Sequence, residues 1–161
     1  MQATAHQLFD IVEKAIDLLN ELDESKASIR PAPDKWSQKE ILGHLIDSAN
    51  NNQQKFVRMM AQSHNDFVGY AQNHWVESQH YNATNLENLI GLWMYANAHL
   101  AHIIENVDST LLKNTITIDG EGPFELGYIM GDYARHLEHH LNQIFPNEGF
   151  NSKFVNLYNN K

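Results

Sequence analysis

The chain has 161 residues, of which 42% are hydrophobic, and this content is sufficient for one compact domain with a buried core. Eleven Lys and Arg against twenty Asp and Glu give a formal net charge of -9, and nucleic acid is not an expected partner because it requires a concentrated basic surface. The absence of cysteine excludes disulfides, thiolate ligands and a cysteine nucleophile, and no apolar run approaches a membrane span of about 20 residues. A cytoplasmic protein is therefore predicted.

The first predicted element is an amphipathic helix. Its apolar residues recur at three- and four-residue steps: Leu8, Val12, Ala15, Leu19 and Leu22. Pro31 and Pro33 then mark a connection, because the residue before a proline disfavours helix. Ser37 followed by Glu40 has the spacing of a capping box and predicts the start of a second helix, which continues to about Met60. Periodicity fades from about Ser63 to Ala83, which predicts a long structured loop.

A third helix is predicted from a second capping-box spacing, Thr84 with Glu87, to about Val107. The alternation over 115–119 predicts a short extended piece, and the run Asp119-Gly120-Glu121-Gly122 predicts a turn. Pro123 is expected at the first position of a fourth helix, which Pro146 closes. The predicted fold class is therefore all-α, a four-helix bundle over residues 1–146. Residues 147–161 are predicted as a polar C-terminal tail. Three apolar residues in it could dock the tail on the bundle: Phe150, Phe154 and Leu157.

The ten histidines are the unusual feature of the composition. His136 and His140 are four residues apart, so they project from the same side of the fourth helix in a metal-chelating arrangement. His140 falls within the apolar stripe and His136 at its margin, whereas His139 points toward solvent. The spacing alone leaves another interpretation open, because such pairs are common: His140 as a core histidine bonded to a backbone carbonyl and His136 as a surface residue.

A stable metal centre requires at least a third ligand from elsewhere in the fold. His44 is the best candidate, because it lies beside Ile41 at the edge of the apolar face of the second helix. Asp47, three residues after His44, and Asp132, one turn before His136, are candidates to orient the imidazoles or are solvated helix carboxylates. The other histidines are predicted at the surface (His6, His99 and His102) or in the irregular stretch, where the pattern does not place them (His64, His74 and His80).

Two separated segments resemble the DinB-like family, the DinB/YfiT-like metalloenzymes. Residues 30–48, RPAPDKWSQKEILGHLIDS, resemble that family's entry into the second helix. Residues 133–144, YARHLEHHLNQI, resemble its last-helix signature, and Tyr70-Ala71-Gln72-Asn73-His74-Trp75-Val76 and Leu92-Trp93-Met94-Tyr95 also look familial. The similarity covers about residues 5–146. It implies a four-helix bundle with a long crossover connection, often dimeric, so we expect a homodimer.

The resemblance also implies metal ligands, since the histidine after Gly43 and the first and last histidines of H-x-x-H-H bind the metal in that family. Residue by residue these are His44, His136 and His140. We expect one divalent transition-metal ion, zinc or nickel first and iron, manganese or cobalt as alternatives, because imidazole accepts several such ions. Three neutral imidazoles would leave open positions at which a water or a thiol is made acidic.

The resemblance implies two enzyme functions. Some family members are thiol S-transferases that join a low-molecular-weight thiol, such as bacillithiol, mycothiol or glutathione, to an electrophile, and others are metal-dependent hydrolases. The transferase is the preferred expectation, and a small-molecule thiol and an electrophile are the expected partners, with a hydrolysable substrate as the alternative. A non-catalytic metal-binding or dimerisation module is the third possibility. Trp36, Trp75, Trp93 and Tyr95 either line a substrate pocket or belong to the core.

Overall fold

The computed structural model describes residues 1–150 together with Phe154 and Val155. The helices and strands, in chain order, are α1 (Gln2–Asn20), α2 (Glu24–Ala27), α3 (Gln38–Ala61), β1 (His64–Phe67), α4 (Gln72–Ser78), α5 (Leu86–Glu105), β2 (Thr115–Ile118), β3 (Glu121–Glu125) and α6 (Leu126–Ile144). Single 3-10 turns occupy Tyr81–Ala83 and Ser109–Leu111. Among the helices of the described residues, none is long and apolar enough to cross a membrane.

Four long helices in this described part of the chain form the bundle: α1, α3, α5 and α6. Both α1 and α3 pack against α5 and α6. The predicted apolar stripe of α1 is buried, with Leu8, Val12, Ala15 and Leu19 all inside, and Leu22 is half-buried just beyond the helix. Removal of this stripe from water is the main stabilising contribution of the helix. The predicted first helix is confirmed.

The start of α3 confirms the predicted capping box. The Glu40 backbone N–H donates to Ser37 Oγ at 3.2 Å, and the Ser37 N–H donates to the Glu40 carboxylate at 2.9 Å. Arg30 from the preceding connection pairs with the same carboxylate. Charge and capping together therefore fix the first turn of the helix that carries His44.

A three-stranded sheet corrects the prediction of a strictly all-α fold. Its strand order is β1-β2-β3, with β1 parallel to β2 and β2 antiparallel to β3. The extended piece predicted over 115–119 is confirmed as β2, but its parallel partner β1 lies in the stretch predicted as a loop. The same stretch also contains α4 and a 3-10 turn. The 4-residue ladder between β1 and β2 joins segments separated by an entire helix, which no local pattern can indicate.

Two predicted helix starts are wrong, by one residue for α5 and by three residues for α6. Asn85, and not Thr84, caps α5, because its side chain accepts from the backbone N–H of Asn88 at 3.1 Å. Pro123 does not open the last helix. It lies inside β3, since the hairpin with β2 continues through Glu125 and α6 begins only at Leu126. Strand pairing therefore overrides the preference of proline for a first helical turn.

The predicted C-terminal tail is docked where the structure describes it. Phe150 is buried, its ring lies near Phe145, and the Lys14 ammonium lies 4.5 Å from its centroid. Phe154 lies against the imidazoles of α6, with ring centroids 5.1 Å from His136 and 5.6 Å from His139. Leu157, the third predicted docking residue, lies outside the described residues.

Candidate metal centre

Three histidines from two helices meet in the interior of the bundle. His44 lies on α3, and His136 and His140 lie one turn apart on α6. One ring nitrogen from each lies within 4.8 Å of the others, and Nε2 of His44 is 3.4 Å from Nε2 of His136. The structure thus brings together the three residues predicted as ligands, and in the described part of the chain this is the cluster of metal-binding side chains that the geometry supports.

The remaining ring nitrogens orient two of the imidazoles. Nδ1 of His140 lies 3.0 Å from Oε1 of Gln143, a carbonyl oxygen that accepts its hydrogen. Nδ1 of His136 lies 3.3 Å from the Ser48 hydroxyl, one helical turn beyond His44 on α3. Where Nδ1 donates in these contacts, the lone pair is on Nε2, and Nε2 of His136 faces Nε2 of His44.

Burial keeps the cluster neutral. Removal from water lowers the pKa of His44 to about 3, with a further contribution from His140, and lowers the pKa of His140 to about 4. Burial, together with the neighbouring His140 and His44, also places the pKa of His136 well below its ordinary value. All three imidazoles are therefore unprotonated at neutral pH, as ligands must be.

These residues fit a divalent transition metal. Ligand nitrogens at about 2.0–2.1 Å from a tetrahedral ion are separated by roughly 3.3 Å, close to the 3.4 Å between His44 and His136. Nδ1 of His44 is buried and has no hydrogen-bond partner among the described residues, so this ring is held by packing, including the Trp36 ring at 5.1 Å. The assignment of the three residues as metal ligands stays a prediction.

Asp47 was expected to orient His44, but its observed hydrogen bonds are with Tyr81 and Gln79. Its Oδ1 accepts from the Tyr81 hydroxyl and from the Gln79 amide, both at 2.7 Å. Burial raises the pKa of this carboxyl group, and the two hydrogen bonds oppose the shift. Its Oδ2 is buried without a partner among the described residues. The carboxylate thus links α3 to the turn that contains Tyr81, one helical turn from His44.

Asp132 also has an observed partner other than His136. Its carboxylate accepts from Arg135 at 2.9 Å, while Ser48 is the residue within hydrogen-bond distance of Nδ1 of His136. Asp132 and His136 nevertheless line the same cavity. The predicted orienting roles of Asp47 and Asp132 stay predictions.

The other histidines do not join the cluster, although the ring of His139 lies next to that of His140. His6, His99, His102 and His139 are exposed, as the helical pattern predicts. His64 lies on β1, where Nδ1 is 2.8 Å from the Thr115 hydroxyl, and the side chain is exposed. His74 and His80 are exposed as well. Of the aromatic residues considered for a pocket, Trp93 belongs to the core and Tyr95 is exposed.

Packing of Tyr81 on Gly43 provides a stability test beside the site. A Cβ atom at Gly43 would overlap the Tyr81 ring, whereas one at Gly91 on α5 would meet nothing within 4 Å. We expect Gly43→Ala to lower the free energy of unfolding by about 1–3 kcal/mol through overpacking. The matched Gly91→Ala should raise it by about 0.5–1 kcal/mol through helix propensity. Urea unfolding measures both, and a Gly43→Ala protein at least as stable as wild type would contradict the packing.

Two cavities reach the cluster at different histidines. The first, which we call the Lys55 cavity, is polar, has a volume of about 90 Å³ and is lined by residues that include Ser48, Asn52, Lys55, Asp119, Asp132 and His136. Burial lowers the pKa of Lys55 to about 8, and the carboxylates of Asp132 and Asp119 oppose the shift, so the ammonium is still charged at neutral pH. Phe154 forms part of the wall.

The second, which we call the Trp36 cleft, has a volume of about 790 Å³ and reaches His140. Its lining includes Ile29, Trp36, Ile41, His140, Gln143 and Ile144. This volume lies within the range of about 300–1,000 Å³ that is usual for small-molecule sites. The cluster is therefore approached by one polar and one mostly apolar space.

Several residues around the histidine cluster were not predicted from the sequence. For some of them, helical spacing indicates that they share a helix face with a histidine. Ser48 is four residues after His44, and Gln143 is three after His140, so each shares a helix face with its histidine. Lys55 follows His44 by eleven residues, just over three full turns, and projects from the same face. Tyr81 and Gln79 belong to an irregular connection, where periodicity offers no such signal.

Three neutral imidazoles lie beside two cavities in a helical bundle, and this arrangement indicates a candidate metalloprotein. The chain belongs to the DinB superfamily, whose sequence profile matches residues 12–144. Its fold is similar to YfiT from Bacillus subtilis, described as a probable metal-dependent hydrolase with an unusual four-helix bundle topology, with a TM-score of 0.81, 16% sequence identity and coverage of 89% of this chain and 83% of that chain. At this identity the likeness establishes the fold alone. No curated protein matches the sequence.

Proposed function

We propose that the protein is a metal-dependent enzyme in which His44, His136 and His140 bind one divalent ion, and that it joins a low-molecular-weight thiol to an electrophile. The observation that carries this proposal is the convergence of three neutral imidazoles at a point reached by both a polar and an apolar cavity. A transferase binds two substrates, and the presence of two unlike spaces beside one cluster suits that requirement.

The chemistry of such an ion is Lewis acidity, which lowers the pKa of a thiol or a water molecule enough to supply a nucleophile near neutral pH. The protein residues hold the imidazoles in position: Ser48 acts on His136 and Gln143 on His140. Burial of His44 keeps water away from one side of the cluster. Zinc or nickel is the metal we propose first, since the donor set is entirely nitrogen.

The Lys55 cavity supports a thiol that carries charged groups. The Lys55 ammonium can bind a carboxylate, and Asp119 offers a carboxylate to an ammonium group on the same substrate. The cavity volume of about 90 Å³ is close to that of roughly three water molecules, so it accommodates one polar end of a substrate and not the whole of it. The thiol sulfur would then lie toward His136.

The proposed reaction forms a bond between the thiol sulfur and a carbon of the electrophile and breaks the bond from that carbon to its leaving group. The electron pair of the broken bond leaves with the leaving group. The proton lost by the thiol balances the charge of that group, so the second product is the protonated leaving group. No oxidant or reductant is required. Asp47 is proposed to position α3, which carries His44, through Tyr81. Asp132 is proposed to position side chains on α6 beside His136, through Arg135.

The test is a conjugation assay. Metal-loaded protein should conjugate bacillithiol, mycothiol or glutathione to monochlorobimane at least tenfold faster than the His44→Ala variant, because loss of one ligand removes the ion. His99→Ala, which removes an exposed histidine, should retain the wild-type rate. Circular dichroism establishes that both variants are folded.

Equal rates for wild type and His44→Ala across the three thiols would refute the transferase. Hydrolysis is the second candidate, and the description of YfiT as a probable metal-dependent hydrolase favours it. A panel of ester and amide substrates, assayed with the same variants, distinguishes the two reactions.

The homodimer and the cytoplasmic location implied by the sequence are likewise proposals, and sedimentation analysis tests the first.

A further inference from the structure

The Trp36 cleft differs from the Lys55 cavity in volume and in chemistry. Ile29, Ile41 and Ile144 contribute apolar surface. The indole of Trp36 lines the same cleft, and its ring centroid is 5.1 Å from that of His44. The charged residues at its rim are Asp34 and Lys35, whose side chains lie 3.7 Å apart and pair with each other. The cleft therefore presents an apolar wall with no excess charge to an occupant.

The position of the cleft relates it to the reaction. His140 lies on its wall, and Gln143, which orients His140, lies beside it. An occupant of the cleft thus reaches the imidazole cluster from the side of His140, whereas the Lys55 cavity reaches it at His136. Ile29 is 66% exposed, so an apolar side chain at the mouth is available to contact a ligand.

We propose that the Trp36 cleft binds the electrophilic substrate through an uncharged aromatic or alkyl group that packs on Trp36 and Ile29. The inference rests on the proposed transferase, because it assigns the Trp36 cleft as the binding site of the second substrate of that reaction. It makes the substrate class specific: a neutral electrophile with an apolar body, in contrast to the charged thiol. The apolar body is removed from water by the cleft, and the reacting carbon is directed toward His140.

A binding experiment tests the cleft without the reaction. The probe is an unreactive bimane, in which the chloromethyl group of monochlorobimane is replaced by methyl, titrated into metal-loaded full-length protein by calorimetry. We expect saturable binding to wild type, and a dissociation constant about tenfold higher for Ile29→Asp, because a charge is introduced where the apolar body packs. Trp36→Ala should have the same effect. Val57→Asp, the matched change at an exposed β-branched residue of α3, should bind like wild type.

A kinetic experiment separates the two substrates. In the conjugation assay, Ile29→Asp should raise the KM for monochlorobimane about tenfold and leave the KM for the thiol unchanged. Absence of probe binding to wild type, or equal dissociation constants for wild type and Ile29→Asp, would overturn the assignment of the cleft. If the probe binds as expected but no thiol is transferred, the cleft is a binding site for an apolar ligand, and its assignment to the electrophile is overturned together with the transferase. The two proposals are thus distinguishable.

Discussion

Wild-type protein purified without a histidine tag should carry about one equivalent of a divalent transition metal, and His136→Ala and His140→Ala should carry essentially none. Each of these changes removes one of three nitrogens that lie within 4.8 Å of one another. Two imidazoles and water are a poor site for a transition metal in competition with buffer, whereas three form a stable one. Elemental analysis by mass spectrometry measures the metal content directly.

His139→Ala is the matched control for this experiment. His139 lies between the two proposed ligands in sequence, its ring centroid is 5.0 Å from that of His140, and its side chain is exposed. The variant should retain full metal content, because the helix directs this imidazole away from the cluster. Full metal retention by His136→Ala, or loss of metal only in His139→Ala, would refute the ligand assignment.

The second large effect concerns acid stability of the metal-free protein. Burial depresses the folded-state pKa of His44 to about 3, below the value of about 6.5 expected in the unfolded chain. The unfolded chain therefore binds a proton first, and the free energy of unfolding falls as the pH decreases from about 6.5 toward 3. The expected slope is about 1.4 kcal/mol per pH unit for His44 alone. Over the whole window this amounts to several kcal/mol.

The measurement is urea unfolding of chelator-treated protein between pH 7 and pH 5. Comparison of wild type with a single variant separates the histidine from the carboxyl groups, among which Asp47 has a raised pKa. His44→Gln should reduce the mean slope over this window by about 1 kcal/mol per pH unit, because the residue no longer titrates and the full slope is reached only below the unfolded pKa of about 6.5. His99→Gln, a change at an exposed histidine, should leave it unchanged. A His44→Gln protein with the wild-type slope would show that this imidazole is not buried in its neutral form.

The parts of the fold that the sequence predicts are those encoded within a few residues of each other. The apolar stripe of α1 and the Ser37–Glu40 capping box depend on contacts three or four residues apart, and both are confirmed. The spacing of His136 and His140 predicts their common direction for the same reason. The superfamily assignment is confirmed as well, because its motifs are contiguous segments.

What could not be predicted depends on pairing across the chain. The parallel match of β1 with β2 converts an expected loop into a strand, and the hairpin converts Pro123 from a helix start into a strand residue. The partners of Asp47 come from a turn that periodicity does not place, so the expected contact with His44 was drawn from local spacing alone. The convergence of His44 with the last helix results from packing of α3 on α6, so the family resemblance indicated it and local spacing did not.

The small sheet also has a mechanical relation to the histidines. Strand β1 follows α3 after two residues and β3 runs directly into α6, while Asn114, just before β2, donates to the Met59 carbonyl of α3 and accepts from the Leu126 N–H of α6. The sheet is thus joined to the C-terminal end of α3 and to the N-terminal end of α6, the two helices that carry the histidines. A slip of two residues in a ladder is a displacement of about 7 Å, larger than the 4.8 Å extent of the cluster. We therefore expect strand register to be one of the constraints on the relative position of α3 and α6, and hence on the distances among the three imidazoles.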